Sequence, residues 1–151
     1  MVAVIQRCRR AQVDVQDQVL GKIGIGLVVL LGIEKGDARD DALVLIKKIL
    51  NLRIFDDSDN KMNLSIKEVR GSLLIISQFT LCADTRKGRR PSFLNAANPK
   101  EGERLYNFFL SELKKKHSEI ESGSFGAMMN VELVNEGPAT FILKSKGKIN
   151  S

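Results

Sequence analysis

One histidine, two cysteines and no tryptophan in 151 residues leave little for the commonest catalytic machineries to use. His117 follows Lys114-Lys115-Lys116 at the end of a charged helical stretch, a position suited to the helix dipole or to solvent. A Ser-His-Asp or Cys-His engine is therefore disfavoured, and no GxSxG elbow occurs. Cys8 and Cys82 show neither a CxxC nor a zinc-ligand spacing, so they read as reduced thiols in strands, with a nucleophile as the rarer alternative. The turn Asp56-Asp57-Ser58-Asp59-Asn60 offers alternate oxygens like a calcium loop. It fails as one, because Lys61 replaces the obligatory glycine and Lys67 stands where the bidentate glutamate belongs. Gly21, Gly24 and Gly26 do not spell a dinucleotide fingerprint, and no glycine loop is followed by GK[ST]. Neither metal nor cofactor is expected. The start, Met1 to Arg7, lacks the apolar run of a secretory leader, and no segment reaches membrane-spanning length, so a cytoplasmic protein without a membrane partner is expected.

What is present is an apolar fraction of 43%, enough for one domain with an ordinary core. That domain is expected over 1–143, with a basic, frayed tail over 144–151. The formal net charge is +6, with basic residues concentrated in Arg86-Lys87-Gly88-Arg89-Arg90 and at Lys144, Lys146 and Lys148. Such asymmetry favours a polyanionic partner through counterion release, although a solvated loop accounts for charge alone equally simply.

Periodicity supplies the elements. Val2 to Ala11, Val13 to Asp17 and Val19 to Ile25 read as short strands, and the continuous run Gly26 to Ile33 as a strand buried on both faces. A helix follows, with Asp37 as N-cap and Ala42, Leu43, Ile46, Ile49 and Leu50 as its apolar stripe. Leu52 to Phe55 returns to strand, and Ser72 to Phe79 forms another that delivers Ser77-Gln78-Phe79-Thr80 to its end. Asn98-Pro99-Lys100-Glu101 opens a second helix as N-cap, first-turn proline and capping box, with Leu105, Phe108, Phe109 and Leu113 buried. Strands Ala127 to Val134 and Ala139 to Leu143 flank Asn135-Glu136-Gly137-Pro138. The expected fold is α/β: two packed, barrel-like sheets covered by two main helices.

Two short segments, Ser77-Gln78-Phe79-Thr80-Leu81 and Asn135-Glu136-Gly137-Pro138-Ala139-Thr140, together resemble the SQFTL and NxGPVT signatures of the D-aminoacyl-tRNA deacylases. The likeness extends through Gln6-Arg7, Leu31 to Asp37, Asn51 to Phe55, Lys61 to Ser65 and Ala83 to Phe93, covering Met1 to about Leu143. Ala139, where the family usually has valine, is the one departure within a signature.

The resemblance implies a homodimer that hydrolyses the ester of D-aminoacyl-tRNA, and of glycyl-tRNA mischarged on an alanine acceptor. Gly137-Pro138 of one subunit, with a cis peptide bond, would enter the other's site, its carbonyls binding the substrate ammonium and its backbone blocking an L side chain. Ser77-Gln78-Phe79-Thr80 would form the opposing half. There the Phe79 and Thr80 amides are candidates to hold the developing oxyanion. The Thr80 hydroxyl is a candidate nucleophile without an evident base. Ser77 and Gln78 serve equally well as groups bonding neighbouring strands. Phe125 would lie near the terminal adenine and Met129 beside the aminoacyl group, with hydrophobic core as the competing explanation for both. Arg7 would support the Gly-Pro loop, a surface salt bridge being the alternative. Arg86, Lys87, Arg89 and Arg90 would meet the tRNA.

Overall fold

The computed structural model describes residues 1–146. Its first strand, β1 (Val2–Val15), runs through the break expected near Gln12, because polar Gln12 and Asp14 simply alternate with buried Ala11 and Val13. Gln16 and Asp17 both take positive φ, 49° and 63°, which matches the twist of a tight hairpin and reverses the chain into β2 (Gln18–Ile23). β2 pairs with the second half of β1, and β3 (Gly26–Gly32) pairs antiparallel with the first half. Beyond β3, β6 (Ser72–Ser77) and β7 (Ile120–Ser122) continue the sheet in parallel, while β8 (Asn130–Lys144) lines the other edge of β1.

This sheet curls on itself. β2 returns so close to β7 that a Cβ on Gly21 would stand 3.1 Å from the Glu121 Cβ, so glycine allows an approach that a side chain would crowd by a few tenths of an ångström. The α/β, barrel-like architecture with two covering helices is as expected. The two packed sheets are instead one six-stranded sheet, since β1 is long enough to serve both halves. A separate ribbon pairs β4 (Phe55–Asp56) with β5 (Met62–Leu64). The run from Leu52 therefore yields only a two-residue strand, and neither β5 nor β7 was evident from periodicity.

Helices α1 (Arg39–Asn51) and α2 (Pro99–Lys114) cover the outer face, where Ile5, Leu27, Val29 and Ile75 meet Leu45, Ile46, Leu105 and Phe109. The inner face is a second core of Cys8, Val13, Val28, Leu74 and Ile76, with Met129, Val131 and Leu133 packed on it. β3 and β6 feed both cores by alternation, which explains their continuous apolar sequences.

Several local assignments change. Ala38, not Asp37, is the N-cap of α1; Asp41 Oδ2 accepts the Ala38 N–H at 2.9 Å, while Asp37 Oδ2 accepts the Glu34 N–H and pairs with the Met1 ammonium, each at 2.7 Å. The stripe uses Leu45, and Leu43 is exposed. On α2, Asn98 caps the Glu101 N–H at 2.9 Å as expected, but the Glu101 carboxylate pairs with Arg104. Tyr106 takes the buried place expected of Phe108, which lies half-buried under the Arg39 guanidinium. The tail is anchored further than expected. Ser145 N–H donates to Met1 O at 3.0 Å, and Lys146 pairs with Asp37 at 3.3 Å and Asp41 at 3.5 Å; Lys148 lies outside the described residues.

Candidate active site

β6 ends at Ser77, two residues short of the expected Phe79. Gln78 N–H makes a last bond to Leu31 O at 2.8 Å, and the chain then tightens into a 3-10 turn, Phe79–Cys82. The first donors of such a turn have no partner within it. Among the described residues the Phe79 and Thr80 amides meet no main-chain or side-chain acceptor, and both residues are exposed. Two adjacent N–H groups on exposed residues thus stand without a partner, among the described residues, at the end of a buried parallel strand. Gln78 Nε2 donates to Thr80 Oγ1, the one partner of that hydroxyl among the described residues. No base touches it.

The connection from β7 to β8 crosses the same end of β6, held by a Gly123 N–H to Ile75 O bond of 3.1 Å. It carries Phe125, whose ring packs 5.6 Å from Tyr106, and Met129, packed on the inner core. Both side chains are half-buried, so they belong to the core while flanking this end of the sheet. Burial pushes the Tyr106 hydroxyl up to about 12, and that hydroxyl donates to Ile75 O at 2.9 Å.

The basic loop is a closed excursion beside the 3-10 turn. Asp84 and Ser92 exchange main-chain bonds of 2.8 and 2.9 Å at its base, and the Phe93 ring packs 5.0 Å from exposed Phe79. Arg86 folds back on Asp84 at 2.6 Å, and its hydrogen bonds hold the Asp84 carboxyl down to about 2. Lys87, Arg89 and Arg90 are exposed, and among the described residues none is ion-paired. Phe93, Asp84 and Ser92 lie within the segment that carries the resemblance, and only the folded loop brings them to the site. An aromatic directly after a cationic loop was the available signal.

Gly137-Pro138 lies elsewhere. β8 is continuous across it, whereas two strands with a loop between them were expected; the register jumps from Cys8↔Asn135 to Gln6↔Thr140, leaving 136–139 as a bulge opposite Arg7. The Gly137-Pro138 peptide is cis, and Gly137 has φ +119°. Asn135 clamps the bulge, its Oδ1 accepting the Ala139 N–H at 3.1 Å and its Nδ2 donating to Thr140 Oγ1 at 3.0 Å. Beneath it Arg7, 6% exposed, donates from Nε to Glu136 O at 3.2 Å and from Nη1 to Ile54 O at 2.8 Å. Arg7 is thus a buried group packed under the bulge that also forms an ion pair, its Nη1 donating to the partly exposed Asp56 Oδ1 at 3.4 Å. Asn135 went unassigned, although an Asn at the mouth of a turn is a common partner for loop amides.

The two motifs do not meet within one chain. Ser77 is level with Leu31 and hence with Ala3, whereas the bulge faces Arg7. Four residues along and three strands across give a separation of roughly 20 Å. Burial pushes both thiols up to about 11; Cys8 lies in β1 opposite Asn135 as expected of a strand residue, whereas Cys82 ends the 3-10 turn and is not in a strand.

The family model for D-Tyr-tRNA(Tyr) deacylase matches residues 4–144. A D-aminoacyl-tRNA deacylase of Dehalococcoides mccartyi is 51% identical over 150 residues, covering 99% of this chain and 98% of the relative. One of Bacillus cytotoxicus is 52% identical over 146 residues, 97% of this chain and all (100%) of the relative. Among solved structures, a c-Myc DNA unwinding element binding protein superposes with TM-score 0.93 at 39% identity, covering 97% of this chain and 100% of that one. A protein described as a probable eukaryotic D-amino acid tRNA deacylase gives 0.81 at 18% identity, covering 94% and 97%, and shares the fold.

Proposed function

The chain belongs to the D-Tyr-tRNA(Tyr) deacylase family, and from that premise we propose that it hydrolyses the ester of D-aminoacyl-tRNA in the cytoplasm. Water adds to the ester carbonyl, the bond to the terminal ribose oxygen breaks, and free D-amino acid and tRNA leave. The observation that carries this reading is the pair of unpartnered amides, Phe79 and Thr80, at the end of β6. Fixed donors of this kind stabilise a developing oxyanion, each by about 2.7–4 kcal/mol, without a titrating residue. The neighbouring ribose hydroxyl of the RNA orients the attacking water, since among the described residues Thr80 Oγ1 has only Gln78 as its partner and no base.

In this reading the acceptor pair for the substrate ammonium comes from Gly137-Pro138 of a second copy, because the bulge on the same chain is roughly 20 Å away. A backbone wall rejects every L side chain alike, and it admits glycine, which places glycyl-tRNA mischarged on an alanine acceptor among the substrates. Phe125 and Met129 bound the pocket, while Lys87, Arg89 and Arg90, with Arg86 behind them, follow the acceptor stem. The test is release of D-tyrosine from charged tRNA by purified protein with EDTA present. Hydrolysis of the D-ester but not the L-ester is expected; equal rates for both would reject the reading.

A second reading, nucleic-acid binding without hydrolysis, is favoured by the 39% identical structure named for binding a DNA element. Binding of charged tRNA with no release of amino acid would select it.

A further inference from the structure

At the opposite end of β6 from Ser77 lies a cleft of about 490 Å3, lined by Lys67, Arg70, Lys116 and His117 with one carboxylate, Glu119. Three separate elements build it. The turn over 65–71 closes with Gly71 N–H to Ile66 O at 3.1 Å and presents Lys67 and Arg70. Lys116 follows α2, and Leu73 N–H to Glu119 O at 2.9 Å ties the next stretch to β6. His117 Nε2 bonds Gly71 O at 2.8 Å and joins turn to helix end.

Some cations on this surface find carboxylates, whereas others, Lys87, Arg89 and Arg90 of the basic loop among them, find none among the described residues. Arg9, Arg86, Arg104, Lys115 and Lys146 are each paired within 4 Å, Lys115 with Glu112 at 2.5 Å. Among the described residues Lys67, Arg70 and Lys116 make no such pair, and all three are exposed. Glu68, the nearest acid in sequence, is exposed but engaged, its Oε2 accepting the Ser65 N–H at 2.7 Å. The dipole of α2 accounts for lysines at its own end, but not for Lys67 and Arg70 from another element. Like charges brought together without partners repel, and a multivalent anion relieves that repulsion.

We propose that this cleft is a second phosphate-binding site, taking backbone phosphates of the RNA whose end reaches Ser77. The five-residue rise of β6 separates the two ends by about 17 Å, a distance that a few successive nucleotides of one RNA can span. The cleft supplies affinity and no chemistry. This inference rests on the RNA reading above, and the test separates them.

Uncharged tRNA binding is measured across a salt titration for wild type, for a loop variant (Arg86, Lys87, Arg89 and Arg90 all to Ala) and for the cleft variant Lys67→Gln/Arg70→Asn/Lys116→Gln. Asn suits position 70, where φ is +52°. The cleft variant is expected to flatten the slope of log K against log salt by about 2 to 3, near 0.7–0.9 per lost phosphate contact. An unchanged slope in the cleft variant, with a flattened one in the loop variant, overturns the cleft and leaves the RNA reading standing; two unchanged slopes defeat both. If inorganic phosphate shifts the NMR signals of the cleft while the RNA slope is unaltered, the cleft belongs to free phosphate and the assignment to RNA fails. Should the variant melt early, acetylation of wild-type Lys67 and Lys116 with and without tRNA replaces it. Protection supports the site, and equal labelling overturns it.

Discussion

Replacing Arg7 with methionine keeps much of the buried volume but removes the charge and the fork that reach Glu136 O and Ile54 O. Two charge-assisted bonds are worth about 1.5–3 kcal/mol each, and the desolvation that a buried guanidinium costs disappears with it. What remains is chiefly the cost of two unpaired carbonyls at about 1–3 kcal/mol apiece, so a net loss of about 2–4 kcal/mol is expected. For a chain of this length, where 1 kcal/mol moves the midpoint about 2–4 °C, Tm falls by about 5–15 °C. Arg7→Lys, with a point charge that can satisfy one carbonyl, is expected to lose about half as much. Thermal melts would be paired with single-turnover hydrolysis of D-tyrosyl-tRNA at a temperature where each variant is folded. Because Arg7 lies beneath the bulge and holds its first carbonyl, kcat/KM is expected to fall about tenfold or more in the methionine variant, beyond any loss of folded protein. A methionine variant with wild-type Tm, or one that melts early yet hydrolyses at the wild-type rate, refutes the reasoning.

Gly137→Ala places a Cβ 2.8 Å from Arg7 Nη2 at φ +119°, so a stability loss of about 1–3 kcal/mol by denaturant titration is expected together with loss of hydrolysis. Thr80→Ala is expected to keep hydrolysis within about tenfold of wild type, whereas loss of a true nucleophile costs about a millionfold; a trapped ester on Thr80 would contradict this. The Asp84 carboxyl, held down to about 2 chiefly by its side-chain bonds with Arg86, has a folded value below the unfolded one. Its support of the loop is therefore full above about pH 4 and is lost as pH falls through about 2, which an NMR titration of the carboxyl would follow. Tyr106 is raised by burial to about 12, so its contribution holds below about pH 10 and is lost as pH rises toward 12, detectable as delayed tyrosinate absorbance.

Continuous apolar runs such as Gly26 to Ile33 announced strands buried on both faces, and Asn98-Pro99 announced a helix start, because both signals are local. Asp37 misled because two acids four apart can each serve the start of a helix, and Asp37 was drawn instead to the Met1 ammonium. β7 has three residues and forms only because β6 is already there to pair with it, so no period could reveal it. The site shows the same division. Ser77 to Thr80 and Gly137-Pro138 were readable as segments, but the open amides depend on where β6 stops, and the burial of Arg7 depends on the bulge opposite it. Both are tertiary facts.

The separation of the two motifs within one chain bears on dosage as much as on geometry. If each working pocket draws Phe79 and Thr80 from one copy and Gly137-Pro138 from another, turnover per molecule declines on dilution as pairs come apart. Damage then obeys a rule of complementation. A variant broken only at the bulge and one broken only at the 3-10 turn are each inert alone, yet a mixed pair concentrates both defects in one pocket and leaves the other whole. Mixing two dead proteins would restore activity, and a lesion at the bulge would act on its neighbour's chemistry and not on its own.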